Sequence, residues 1–278
     1  MLKLILTLFL PLALAGPVPA QSALEQGETD VVVQVIDGDT VELSDGSEVR
    51  LIGLQAPKLP LGRRGFATWP LAPEAKAYLR SLVEGRTVVL GYGGRRTDRY
   101  GRRLAQMFRE DGLWVQGQMI AAGMARVYSF ADNRACVRQL HELEQTARAQ
   151  GEGIWGLSWY RVRDAFELEN DIDTYQVIEG RPLSVAEVRG RYYLNFGEDR
   201  FTDFTATVSP RDARAFNESN LDLLALEGRQ IRIRGWVSSF DGPNLSLTHP
   251  EQIEVLGGAQ KQLPDTFMPC GLGSLSAL

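Results

Sequence analysis

Histidine and cysteine are scarce, with two of each in 278 residues. His141 and His249 are too few for a histidine-rich metal site, and Cys136 and Cys270 cannot supply zinc-finger or haem-attachment spacing. An excess of positive charge is also missing. Thirty Lys and Arg stand against 35 Asp and Glu, for a net charge of −5. That excludes a uniformly basic nucleic-acid-coating protein. After residue 20 no apolar run reaches the ~18 residues of a membrane-spanning helix. Aromatic residues at 9% and hydrophobic residues at 44% exclude a disordered chain. The length suits one large or two small domains.

What is present begins with a leader. Lys3 supplies a positive start, residues 4–15 are apolar, and Val18-Pro19-Ala20 places small residues at a cleavage position. Residues 1–20 therefore read as a secretory signal peptide, which predicts a periplasmic or secreted protein with no membrane contact after its removal. Cleavage after Ala15 and an uncleaved anchor are the alternatives. Charge then divides the rest: residues 31–160 carry 17 basic against 14 acidic side chains, and residues 161–278 carry 12 against 18. This asymmetry argues for two domains.

Strand and turn signals fill both parts. β-branched or apolar runs at 31–36, 40–43 and 48–54, separated by Asp37-Gly38-Asp39 and Ser44-Asp45-Gly46-Ser47, predict a meander. A helix is expected over 74–84, with Pro73 in its first turn and Gly85 as its stop. Strands are expected at 87–92 and 103–109, and helices at 113–122 and 134–150. Residues 157–174 read as a connecting helix or linker. Strands then return at 175–188, 191–196, 204–208, 230–237 and 244–248, with a helical insertion at 221–226. That order suggests a second, OB-like barrel over 175–256, followed by a loose tail at 257–278.

Three segments carry the chemistry. They are Val35-Ile36-Asp37-Gly38-Asp39-Thr40-Val41, Val49-Arg50-Leu51-Ile52-Gly53-Leu54-Gln55-Ala56-Pro57-Lys58 and Thr97-Asp98-Arg99-Tyr100-Gly101-Arg102. Each alone reads as a turn, a strand or a solvated loop. In this order, and with Gly123-Met124-Ala125-Arg126-Val127-Tyr128 and Gly153-Ile154-Trp155 behind them, they resemble the thermonuclease family over about residues 30–156. The resemblance implies an α+β fold, a staphylococcal-nuclease-like OB-fold barrel, here followed by the second OB-like barrel. It implies calcium-dependent cleavage of DNA and RNA. Calcium is held by two carboxylates and a carbonyl, a glutamate activates water, and two arginines neutralise the phosphate. Asp39 matches a metal carboxylate, Arg50 and Arg102 the catalytic arginines, and Tyr100 and Tyr128 aromatic groups near the nucleotide.

Two positions depart from the pattern. Gln55 stands where the second carboxylate is expected, and Lys58 where the glutamate base is expected. No Asp or Glu occurs between Glu48 and Glu74 to replace them. A general base is worth roughly 10²–10⁴-fold, and metal charge several kcal/mol more. The expectation is a nucleic-acid-binding homologue that retains Lys58 among its substrate-facing cations, with hydrolysis weak or lost and calcium doubtful at Asp39. Either the Lys58 ammonium replaces calcium by pairing with Asp39 and Asp37, or it points into solvent. An active nuclease using Asp37, Asp39 and another metal is the rival. A structural or partner-binding envelope protein is a third reading, favoured by the acidity.

Cys136 and Cys270 form an even pair in an exported chain, so a disulfide pinning the tail to the first domain is expected. Two free thiols are the alternative. In the second domain Tyr192, Tyr193 and Phe196 could face a strand of nucleic acid, but core roles suit an acidic domain better.

Overall fold

The computed structural model describes residues 24–199, 201–219, 221–257 and 270–272. The expected leader at 1–20 and most of the expected tail lie outside the described residues. Among the described residues, no helix is long and apolar enough to cross a membrane.

The first domain is a closed barrel with helices around it. β1 (Glu25–Asp37), β2 (Thr40–Leu43) and β3 (Glu48–Leu51) form the meander. β4 (Gly53–Gln55), α1 (Ala72–Val83), β5 (Thr87–Tyr92), β6 (Arg103–Arg109), α2 (Val115–Ala121), β7 (Arg126–Tyr128) and α3 (Val137–Gln150) follow. The barrel runs β1-β2-β3-β6-β5 and closes on β1. Closure depends on the length of β1: residues 25–31 pair with β5 and residues 32–37 with β2. The sequence reading began this strand only at Val31, because the first half is polar and exposed and carries no alternating pattern. β3 and β6 run parallel, with Val49 opposite Arg103. Val32, Val35, Val41, Leu43, Val49 and Leu51 fill the barrel and are fully buried. Removing such side chains from water supplies most of the stabilisation, about 25 cal/mol per Å².

Helix boundaries follow local chemistry. α1 carries Pro73 in its first turn and buries Ala75, Leu79 and Val83 against the barrel. α3 begins at Val137 rather than 134, because Cys136 sits at φ 65. A residue in the left-handed region cannot continue a right-handed helix.

The second domain is a curled half-barrel. Its elements are β8 (Arg163–Asp164), β9 (Thr174–Gly180), β10 (Ser184–Val188), β11 (Arg191–Asn195), β12 (Thr205–Val208), α4 (Pro210–Glu218), β13 (Ile231–Ser239), β14 (Pro243–Leu247) and β15 (Ile253–Val255). The sheet runs β10-β11-β12-β14-β13-β9-β8, with β15 also on β13. The expected single strand at 175–188 is broken into β9 and β10 around Pro182. Proline has no N–H to continue a ladder. Joined end to end, β9 and β10 would repeat the strand order of the first barrel. The break leaves the sheet curled rather than closed. Its helix is α4, not residues 221–226, which make only a 3₁₀ turn at Leu224–Leu226. Ser209 caps α4 by accepting from the Asp212 N–H at 3.2 Å, with Pro210 in the first turn.

Residues 157–174 hold a 3₁₀ turn at Ser158–Tyr160 and the short β8 rather than a connecting helix. β8 pairs with β9, and Arg163 grips Asp171 at 2.9 Å. Tyr192 is half-buried against the second core, Phe196 lies within it, and Tyr193 faces a cavity on the sheet. Cys136 and Cys270 are joined by a disulfide, Cα to Cα 5.3 Å. Leu24, Phe108 and Leu272 pack around it.

The domains meet through buried polar groups. Arg234 on β13 donates to Glu144 on α3 at 2.9 Å and also pairs with Glu254. Arg148 and Arg232 close this cluster, in which His141, Glu144 and Glu254 come together. With Glu179 on Arg232, three guanidinium groups already match three carboxylates, which leaves no surplus negative charge for a cation there. Tyr175 donates its hydroxyl to the Val127 carbonyl at 3.0 Å, and the Ser129 hydroxyl lies 2.7 Å from His249 Nε2.

Candidate functional site

Asp39 sits at the turn from β1 into β2, and the turn is pressed against Ala56. A Cβ at Gly38 would lie 2.6 Å from the Ala56 Cβ, so only glycine permits this approach. The approach lets the Ala56 N–H donate to Asp39 Oδ2 at 3.0 Å. Two cations complete the shell. Arg50 Nη1 lies 2.9 Å from Asp39 Oδ2, and Lys58 Nζ donates to Oδ1 at 2.7 Å and to Oδ2 at 2.5 Å. Lys58 Nζ is also 3.5 Å from Asp37 Oδ2. Lys58 therefore does not point into solvent.

Electrostatics divides the two carboxylates. Burial opposes the charge on Asp39, but Arg50 and then Lys58 overcome it and hold the carboxyl below its ordinary range. Burial, and then the neighbouring Asp39 charge, push Asp37 upward, with Lys58 opposing. The Asp37 carboxylate also accepts the Asp39 N–H at 3.0 Å.

The donor set does not fit calcium. Calcium takes six to eight oxygen ligands. Here both oxygens of Asp39 already accept N–H groups, and an ammonium stands within 2.7 Å of each. Gln55, at the expected second carboxylate, turns its amide oxygen to Arg126, which donates from Nε at 3.0 Å and from Nη2 at 2.7 Å.

Arg50 and Arg102 have different environments. Arg50 also donates to the carbonyls of Asp39, Leu51 and Leu54 at 3.0–3.2 Å, so its fork is largely committed within the barrel. Arg102 is more exposed and lies one residue before β6, beside β3. Asp98 shapes that loop by accepting from the N–H groups of Tyr100 and Arg102 and from Arg102 Nε. Tyr100 is 69% exposed, with the Arg99 and Arg102 guanidinium groups 4.7 and 5.7 Å from its ring. An exposed ring flanked by two guanidiniums can stack a base and hold a phosphate.

Tyr128 is placed elsewhere. Its hydroxyl accepts from Trp236 Nε1 at 3.0 Å, and its ring packs edge-on to Phe130 and Tyr175 at the domain junction. The structure places Tyr128 at the junction of the two domains and Tyr100 on the exposed loop. Sequence reading also passed over Arg126. It is only 4% exposed, and burial pushes its guanidinium below the ordinary arginine value. Its partners lie far away in sequence, so no local signal marked it. Arg99 was legible as part of the basic loop.

Comparison with known proteins agrees with this geometry. The profile described as staphylococcal nuclease homologue matches residues 48–157. An uncharacterized endonuclease of Escherichia coli O157:H7 is 35% identical over 127 residues, covering 45% of this chain and 74% of that protein. A thermonuclease of Staphylococcus intermedius is 27% identical over 143 residues, covering 50% of this chain and 83% of its own length. The succinoglycan biosynthesis protein ExoI of Rhizobium meliloti is 35% identical over 125 residues, covering 44% of this chain and 61% of its own.

Proposed function

The chain belongs to the staphylococcal nuclease homologue family, and on that premise we propose that it binds nucleic-acid phosphodiesters with calcium-dependent hydrolysis weak or lost. The observation that carries this reading is the Lys58 ammonium on both oxygens of Asp39. A fixed internal cation neutralises the carboxylate that would otherwise draw a metal. The base position offers no carboxylate, so no group at residue 58 can take a proton from water.

Binding needs neither metal nor base. Arg99 is exposed beside Tyr100, Arg102 is partly exposed and oriented there by Asp98, and guanidinium holds phosphate without a metal. The apolar leader and the disulfide support an exported protein, in the periplasm or outside the cell.

The test is fluorescence anisotropy of labelled single-stranded DNA and RNA, with calcium or with chelator. Equal binding in both, with intact strands afterwards, is the expected result. Efficient cleavage that requires calcium, or no binding with chelator, would sink the reading.

A further inference from the structure

A cavity of about 560 Å³ opens between the two domains, and neither Asp39 nor Tyr100 lines it. Trp69, from the loop between β4 and α1, and Arg126 on β7 come from the first domain. Trp159 comes from the connector, and Tyr175 and Trp236 from the second sheet. This size lies within the range of small-molecule sites, about 300–1,000 Å³.

Arg126 has an unusual position in that wall. It is 4% exposed, and no carboxylate makes an ion pair with it among the described residues. One amide oxygen, from Gln55, accepts two of its N–H groups. The rings of Tyr175, Tyr160 and Trp69 stand 4.8, 5.9 and 6.0 Å from its guanidinium. The cavity's buried carboxylate, Asp171, does not neutralise it, because Asp171 is held by Arg163 and Gln176. Glu167 and Asp173 are exposed, and Glu167 pairs with Arg161. The deep end of the cavity is therefore positive. A second cation among these rings would meet Arg126, whereas an anion would complete its pairing.

The mouth is aromatic. Trp159 is 46% exposed and Trp236 is 50% exposed, although both belong to well-packed segments. Half-exposed indole faces beside a buried, unpaired guanidinium match a planar group that carries a negative charge. We propose that this interdomain cavity is a nucleotide site, taking a phosphate on Arg126 and a base against Trp159 and Trp236. The choice of a nucleotide over another planar anion rests on the nucleic-acid reading above. The same chemistry is offered by a free mononucleotide and by the phosphorylated end of a strand.

Isothermal titration calorimetry on the full chain tests it, with deoxyadenosine monophosphate and deoxyadenosine as probes. The monophosphate should bind at least tenfold more tightly than the nucleoside. Trp159→Ala, at a half-exposed ring, should weaken the monophosphate tenfold or more, as should Arg126→Gln where that variant folds. No monophosphate binding, or parental affinity in Trp159→Ala, would overturn the site. A short oligonucleotide with and without a terminal phosphate separates the sources. Tighter binding of the phosphorylated oligonucleotide than of the monophosphate assigns the cavity to strand ends, the reverse assigns it to free nucleotides, and either supports it. Two patterns separate this inference from the proposed function. Oligonucleotide binding lost in Arg102→Ala, with monophosphate binding intact in Trp159→Ala, removes the cavity and leaves the function standing. Monophosphate binding lost in Trp159→Ala, with no binding of the unphosphorylated oligonucleotide by the parent, supports the cavity and removes the function.

Discussion

Arg234 Nη1 lies 2.9 Å from Glu144 Oε2, and neither side chain has any solvent exposure. One residue belongs to the second sheet and the other to the last helix of the first domain, so this pair clamps the two units together. Breaking a buried pair costs about 3–5 kcal/mol when the remaining charge is left alone, and with Arg148 still on Glu144 and Arg232 on Glu254 the lower end, about 3 kcal/mol, is expected here. Arg234→Ala should lose that much in urea unfolding. The parent should unfold in a single transition by fluorescence and circular dichroism. Two separate parental transitions would show that the domains are not coupled through this contact.

His249 gives the interface a pH dependence. Burial, and to a lesser degree the nearby Arg134, hold its pKa down to about 4, with Glu251 opposing. The unfolded chain binds the proton near the ordinary value of about 6.5. Between those values the unfolded state carries more protons, so stability falls as pH drops from about 6.5 to 4 and is level above. The full loss is about 3 kcal/mol. In His249→Gln this component should vanish, so the stability gap between parent and variant should narrow as the medium is acidified. A gap that stays constant across this window would contradict the assignment.

The Cys136–Cys270 bridge spans a sequence separation of 134 residues. Closing a loop of that length removes about 5 kcal/mol of unfolded-state entropy in the simple chain model. Dithiothreitol, or Cys136→Ser with Cys270→Ser, should lower the unfolding midpoint. Equal midpoints in oxidised and reduced protein would mean that the bridge constrains little.

Arg50 and Arg102 should respond differently to substitution. Arg102→Ala should weaken oligonucleotide binding and lower the salt slope by about one, with stability nearly unchanged. Arg50→Ala removes a partner of buried Asp39 and donors to three carbonyls, so it should cost about 3 kcal/mol of stability. Thermal melts alongside binding titrations separate the two. Equal melting temperatures would place Arg50 with Arg102 among the phosphate-binding groups.

Much of the first barrel was legible because its signals are local. Asp37-Gly38-Asp39, the Val/Leu alternation that follows and Pro73 each report a turn, a strand face or a helix start. The order of three motifs also suggested that Asp39, Arg50 and Lys58 share one place. Long-range geometry was not legible. The Gln55–Arg126 bond joins residues 71 apart, and Tyr128 meets Trp236 across 108. Neither pairing leaves a trace in its own neighbourhood. In the second domain the break at Pro182 and the Ser209-Pro210 cap were visible as residues. The apolar run at 221–226 outweighed them, although Phe216 and Ala213 on α4 supply the buried face.

Calcium calorimetry tests whether the Lys58 ammonium at Asp39 stands in for a metal. Calcium is titrated into the parent and into the Gln55→Asp/Lys58→Glu double variant, up to about 1 mM, the weak end of protein calcium sites. The expected result is no binding heat in the parent and saturable binding in the double variant. Saturable binding by the parent that disappears in Asp39→Ala would contradict it.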